Sequence, residues 1–405
     1  DCYESPLRPG AKAKTPWNEK KYVVFQPDVG GWNNIRMGAE TVILFAHATG
    51  RTLVMPPTMK FYLLNLNKKE EDNESSFQKF FDFSKLAEAL DIVSMDDFVE
   101  HVAKPGLLLQ PFPNNMTVSP SPSFWKYMEN ACSTYDWKFA KRFVSFNITS
   151  DGTIGRSRKS KRYKDMQVRG RKAINYDTEM HQNRAIFFPG EGPNRMLVHY
   201  YVYLHWADPH IEQIYKRIVR DRLHYHDDIF CGAGRVVKQI HLDAAKLTGK
   251  PAPTPDAASD KTLGGDTNQQ ATYHAFHIRR GDFQFKETRL SADELWNNTK
   301  HLLDPKVSTL IYIATDERDH SFFKPFMQAP YTVKFLSDYE GVMKQGANNS
   351  NKVNMNHIGM MEQVICANAH TFVGTPLSTF TGYITRMRGN NIIFMIYSTC
   401  AKPLS

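Results

Sequence analysis

The chain lacks any apolar run long enough to span a membrane. Its longest, such as Thr41 to Ala46, fall far short of the roughly 20 residues a helix needs to cross a bilayer. Two phosphate-binding signatures are also missing. Neither G-x-G-x-x-G nor G-x-x-x-x-G-K-[ST] occurs, which excludes the usual dinucleotide fingerprint and the P-loop. Cysteine is scarce: Cys2, Cys132, Cys231, Cys366 and Cys400 are all there is, and no pair has the C-x-x-C spacing of a zinc or redox site. No metal site is therefore expected. Aromatics are nearly absent from the most basic stretch, Arg156 to Lys172, where Tyr163 stands alone. A nucleic-acid surface would interleave aromatics with its cations or place them on a recognisable helix. The stretch reads instead as a solvated basic loop, or second as a surface that attracts an acidic acceptor, and no nucleic-acid partner is expected.

What is present describes a globular protein of the secretory lumen. Hydrophobic residues make up 41% and charged residues 23%, a folded composition. At 405 residues the chain exceeds one ordinary core and suits two domains. Asn-x-Ser/Thr sequons occur at Asn73, Asn115, Asn147, Asn297 and Asn348, and with the cysteines they favour an oxidising lumen. Cys366, in the apolar stretch GMMEQVICANA, is expected to be free and buried. The other four could form two disulfides, with the pairing open. The opening DCYESPLRPG has no leader character, so a signal or membrane anchor is expected to precede it.

Hydrophobic periodicity divides the chain. Tyr22–Phe25 reads as a strand and Gln26–Asn33 as a loop. A helix carrying Ile35, Ala39, Val42, Ile43 and Ala46 follows, closed by Gly50, and then a strand at Thr52–Met55. This is a β-α-β unit, the building block of a parallel sheet. Phe77–Val102 reads as mostly helical, Met196–Leu204 as strand-like or helical, and Ile211–Leu223 and Arg235–Leu247 as helices. Gly249–Gln270, rich in Pro, Gly, Ser, Thr and Asp, has no periodicity and reads as a linker. Beyond it strands at Tyr273–Ile278, Leu310–Ala314, Thr332–Leu336, Thr371–Val373 and Ile392–Tyr397 alternate with helices at Ala292–Leu302, Phe322–Met327, Gly359–Ala369 and Ser378–Arg388. The expectation is an α/β protein: residues 1–248 as one Rossmann-like domain, 249–270 as linker and 271–405 as a second. In such sheets ligands sit at the strands' carboxyl ends.

Three segments carry candidate chemistry. HIRRGDF places Arg279 and Arg280 where a strand ends, and a guanidinium there can grip two oxygens of a diphosphate. An ordinary surface turn with an Arg–Asp282 salt bridge is the structural alternative. In GTPLSTFTGYITRMRG, Ser378 and Thr379 stand at the start of a helix, whose free N–H groups and dipole suit a phosphate. The third segment, DVGGWNNIRMG, is a strand-to-helix turn that could approach a sugar.

In this order, the segments resemble the GDP-fucose fucosyltransferase superfamily, which includes protein O-fucosyltransferases and, more distantly, α1,6-fucosyltransferases. The pattern G-G-x-N-Q-x-R is similar to Gly30 to Arg36, with Asn34 in place of Gln. H-x-R matches His277-Ile278-Arg279, HIRRGD is similar to H-V-R-R-T-D, and S-S-F resembles Ser378-Thr379-Phe380. Counting back from that loop, the family's guanine-binding Asp falls on Glu362. The resemblance spans roughly residues 20–395 and implies a GT-B glycosyltransferase, two Rossmann-like domains facing a central cleft, inverting and metal-independent, with no cofactor beyond the donor GDP-fucose. It implies that Arg279 stabilises the departing diphosphate, that Ser378, Thr379 and Phe380 hold it, and that Glu362 reads guanine. It further implies that His277 and Arg280 line the donor, that Gly31, Asn33 and Arg36 face the sugar, and that Asp282 orients the arginines. For the catalytic base it offers Glu287 first, Asp28 second and phosphate itself third. The acceptor would be a protein or glycan hydroxyl, and the compartment the Golgi ahead of the ER. Other readings remain: the same fold with another nucleotide sugar, a glycan-binding protein without turnover, or a basic scaffold for acidic glycans.

Overall fold

The computed structural model describes residues 15–28, 30–60, 74–105, 107, 181–188, 190, 209–253, 270–281, 283–343, 354–388, 393–395 and 402–403. The basic stretch 156–172, the segment 196–204, most of the linker and Asp282 lie outside them. The chain divides into two compact units, Asp1–His226 and Asp227–Ser405.

The first unit is built on four parallel strands: β1 (Tyr22–Phe25), β2 (Thr52–Met55), β3 (Ile92–Ser94) and β4 (Ala185–Phe188), in the order β3-β2-β1-β4. Every residue of YVVF in β1 is buried, as a central parallel strand covered on both faces requires. Helix α1 (Trp32–Thr49) connects β1 to β2. It ends at Gly50, whose φ of 67° is the left-handed conformation that lacks a Cβ penalty and lets its N–H reach the carbonyls of Ala46 and His47. Helix α2 (Pro209–Arg222) packs on α1. Beneath the sheet Tyr22, Val24, Val54, Phe98, Val102 and Phe187 form one core.

The second unit carries the strands β5 (His274–Ile278), β6 (Leu310–Thr315), β7 (Thr332–Lys334), β8 (Thr371–Gly374), β9 (Ile393–Met395) and β10 (Lys402–Pro403). Their order is β7-β6-β5-β8-β9-β10, parallel except for the last. Four of its helices matter here: α3 (Asp227–Thr248), α4 (Ala292–Thr299), α5 (Ile358–Ala367) and α6 (Thr379–Arg388). A capping box starts α4: Ser291 accepts from the Glu294 N–H, and Glu294 accepts from the Ser291 N–H in return. Phe276, Ile278, Trp296, Ile311, Phe323 and Val373 form this unit's core.

The α/β class and the parallel sheets agree with the sequence, and several details differ: β10 was not foreseen, and the helix expected at Phe322–Met327 is a 3₁₀ segment, His320–Phe326. The division falls at His226/Asp227 instead of at 248, because α3 packs on α5 and its Arg235 donates to the Met343 carbonyl at 3.0 Å. The segment 77–102, expected to be mostly helical, contributes the edge strand β3, where β-branched Ile92 and Val93 suit a pleated surface. Strand β4 (AIFF) was not foreseen: it joins the sheet by pairing with β1, far earlier in the chain.

Candidate functional site

In the second unit the chain reverses its direction of winding between β5 and β8, so the carboxyl ends of these strands flank the crevice where an open α/β sheet binds ligand. Register fixes what stands there. His277 lies opposite Gly374 on one side, and Ile278 opposite Thr315 on the other. One step beyond each strand are therefore Arg279, Thr375 and Asp316, side by side. Thr375 ties the outer loops together: its hydroxyl accepts from the Arg279 backbone N–H at 3.0 Å and donates to the His277 carbonyl at 3.1 Å.

Asp316 organises the turn after β5. Its carboxylate accepts from the backbone N–H groups of Arg280 at 2.7 Å and Gly281 at 2.9 Å, and from the Arg279 guanidinium. Gly281 is needed for this approach, since a Cβ there would lie 2.5 Å from the Asp316 Oδ2. Arg279 keeps about a quarter of its side-chain surface exposed at the crevice edge. Arg280 is engaged elsewhere: it pairs with Glu317 at 3.0 Å, donates to the Leu290 carbonyl at 2.9 Å and lies 3.8 Å over the Phe322 ring. The carboxylates that orient the two arginines are thus Asp316 and Glu317, which sequence reasoning missed. Asp282, assigned that role from the sequence, lies outside the described residues.

His277 does not line an open surface. It is 5% exposed, its Nδ1 lies 2.7 Å from the Thr381 hydroxyl, and its ring stacks on Phe380 at 4.4 Å. Burial, aided by the Arg279 charge, pushes its pKa down to about 3, so the imidazole is neutral at physiological pH. Phe380 is half-buried and locked by that stack. The loop before α6 holds Leu377 in the left-handed region, φ 62°, with 58% of its surface exposed, beside half-buried Ser378 and Thr379. Glu362, on the second turn of α5, accepts from the Tyr312 hydroxyl at 3.2 Å. Its carboxyl is pushed up to about 7 by burial; the Tyr312 hydrogen bond opposes the rise and the Asp316 charge adds to it.

In the first unit the corresponding reversal lies between β1 and β4, and Asp28 follows β1 there. Asp28 is 7% exposed; Oδ1 accepts from the Gly30 N–H at 2.7 Å, and Oδ2 is buried with no partner among the described residues. Gly31 caps α1 and Asn33 is half-buried in its first turn. Arg36, expected to face a sugar, turns inward instead. It pairs with fully buried Glu40 at 2.7 Å, meets the Tyr225 hydroxyl and stacks 4.5 Å over that ring. The Arg36/Glu40 spacing of four residues could have revealed this in the sequence. Glu287 lies in a 3₁₀ turn, Lys286–Thr288, with its side chain outside the described set. Cys366 is free and buried as expected. Cys231 is free and exposed on α3, which corrects its place in a disulfide pair; Cys2, Cys132 and Cys400 lie outside the described residues.

The family model for GDP-fucose protein O-fucosyltransferases matches residues 22–391. The chain belongs to that family. Among solved structures, this O-fucosyltransferase family member is similar to POFUT1 in complex with GDP-fucose, at 15% identity over 94% of this chain and 97% of that one, TM-score 0.44. It is also similar to the fucosyltransferase NodZ from Bradyrhizobium, at 12% identity over 95% and 99%, TM-score 0.46. The NodZ α-1,6-fucosyltransferase co-crystallized with GDP matches at 11% identity over 95% and 98%, TM-score 0.45. Among curated proteins none matches the chain. No helix among the described residues of this family member is long and apolar enough to cross a membrane.

Proposed function

We propose that the chain transfers fucose from GDP-fucose to a hydroxyl of a protein or glycan, with inversion and without a metal, in the lumen of the secretory pathway, the Golgi ahead of the ER. Family membership supports the donor. The observation that carries the reading is Arg279 standing at the reversal of the second unit's sheet, joined through Thr375 to the loop that starts α6. The acceptor oxygen attacks the anomeric carbon as the bond to the β-phosphate oxygen breaks, and GDP leaves with the electron pair. Arg279 and the N–H groups at the start of α6 meet the negative charge that grows on the diphosphate. Glu362, ionised, accepts the two N–H donors of guanine. The acceptor's proton goes to a carboxylate, and Glu287, in the same unit as Arg279, is the candidate. The lumenal location is supported by the sequons, of which Asn297 is exposed on α4.

Calorimetric titration with GDP, UDP and GDP-fucose tests this reading. GDP should bind and UDP should not, and Arg279→Ala should lose about 1.5–3 kcal/mol, a tenfold or larger weakening. Failure of every nucleotide to bind at millimolar concentration would overturn the enzyme reading and leave a glycan-binding protein. Glu287→Gln should keep GDP affinity and abolish acceptor-dependent GDP release.

A further inference from the structure

One buried hydroxyl beside the candidate site is not used by the reaction as described. Tyr312 lies mid-way along β6, next to the strand that carries Arg279, and is fully buried. Its ring rises from the sheet toward α5, where its hydroxyl donates to Glu362 Oε1 at 3.2 Å. Just before the neighbouring strand β5, Tyr273 makes a different contact to the same helix: its hydroxyl donates to the Ile365 carbonyl at 2.6 Å, a backbone anchor. A tyrosine on a core strand can satisfy its hydroxyl on a carbonyl in this way. Tyr312 satisfies its own on a carboxylate that stands at the site.

We propose that Tyr312 is the positioning residue for nucleobase recognition, its hydroxyl holding Glu362 ionised and oriented to receive the paired N–H donors of guanine. The inference rests on the guanine-reading role given to Glu362 above. A carboxylate oxygen has two acceptor positions, so Oε1 can take the phenol and one guanine N–H while Oε2 takes the other. Only the ionised form can do this, because a protonated carboxyl presents an O–H toward a donor. Burial opposes ionisation of Glu362 and the nearby Asp316 charge opposes it further; the Tyr312 hydrogen bond is the contact that favours it. The phenol is always a donor, since burial raises its own pKa well above the ordinary tyrosine range.

Other groups around α5 leave this balance intact. Cys366, on the same helix, is held neutral by burial. Asp228 of α3 faces His357 at 3.5 Å, and Arg235 of α3 donates to the Met343 carbonyl. Arg388 of α6 donates to carbonyls at the far end of α5.

The test is GDP affinity as a function of pH from about 5.5 to 9, for the wild type, Tyr312→Phe and Glu362→Gln. Glu362 carries the raised pKa, so its ionised form prevails above about 7 and is lost as pH falls. Wild-type GDP binding should therefore be flat at high pH and weaken by about tenfold per pH unit below the midpoint. Without the phenol the midpoint should move to higher pH: Tyr312→Phe should bind severalfold more weakly at pH 7 and nearly normally at pH 9. Glu362→Gln should bind weakly and without a midpoint. Inorganic pyrophosphate, which has no base, should bind all three proteins alike. A Tyr312→Phe profile that overlays the wild type, or lies below it by the same factor at every pH, would overturn the proposal. A flat wild-type profile with tight GDP binding would instead sink the guanine reading of Glu362. Should Tyr312→Phe fail to fold, 3-fluorotyrosine incorporated at position 312 supplies a stronger donor. It should move the midpoint to lower pH, and an unmoved midpoint would refute the inference.

Discussion

Asp316 has more partners than any other carboxylate described at the site. Two backbone N–H groups and one guanidinium converge on its two oxygens, so a neutral amide cannot replace it: asparagine keeps one acceptor oxygen and adds an unwanted donor. Asp316→Asn is expected to cost about 1–3 kcal/mol of stability through the donors left unpaired, and to weaken GDP at least tenfold by releasing Arg279. Urea unfolding and calorimetric titration would read the two effects, and loss of one without the other would show that the grip on Arg279 and the turn are separable. Single residues were unevenly legible in the sequence. Arg279 was readable because it ends a strand. Asp316 was not, because it meets Arg279 only through the alignment of Ile278 with Thr315, two positions far apart in the chain. His277 looked like a ligand-facing residue, yet Phe380 and Thr381, contributed by a distant helix, cover it.

At the scale of elements, the start of α6 carries the candidate phosphate loop and its end secures the neighbouring helix. Arg388, in the last turn of α6 and 4% exposed, donates to the carbonyls of Ala367 at 3.0 Å, Ala369 and His370 at 2.8 Å, just where α5 runs out of intrahelical partners. Its planar fork reaches several acceptors at once, which a lysine cannot do. Arg388→Lys is expected to lower stability by about 2–3 kcal/mol with the GDP dissociation constant unchanged. Thermal melting beside titration would check this, and a shifted GDP affinity would mean that the helix pair also sets the loop. The regular elements were legible where pattern and punctuation agreed: α1 ends at its glycine, and the parallel strands of the second unit fall within a residue or two of their apolar runs. In β3 and β4 pairing with a strand distant in the chain decided the conformation, and no local pattern records that pairing.

Among the described residues the two larger sheets each have their own core, and the nucleotide candidates Arg279, Glu362 and Ser378 all belong to the second unit. Calorimetry should show two unfolding transitions, since multi-domain chains depart from a single cooperative step. GDP at a hundred times its dissociation constant should raise one of them alone, by about 2.7 kcal/mol. A single transition that moves as a whole would contradict independent cores. The protein carries a formal charge of +9. At the edge of the crevice Arg279 faces Asp316 and Arg280 faces Glu317, so these two cations already have their counterions built in. Sulfate or free phosphate gains little by displacing such a partner, whereas a nucleotide can compete because its base brings further contacts. Around these two arginines the crevice is in effect an ion exchanger with its own resin, and a bare sulfate or phosphate must displace a carboxylate to enter.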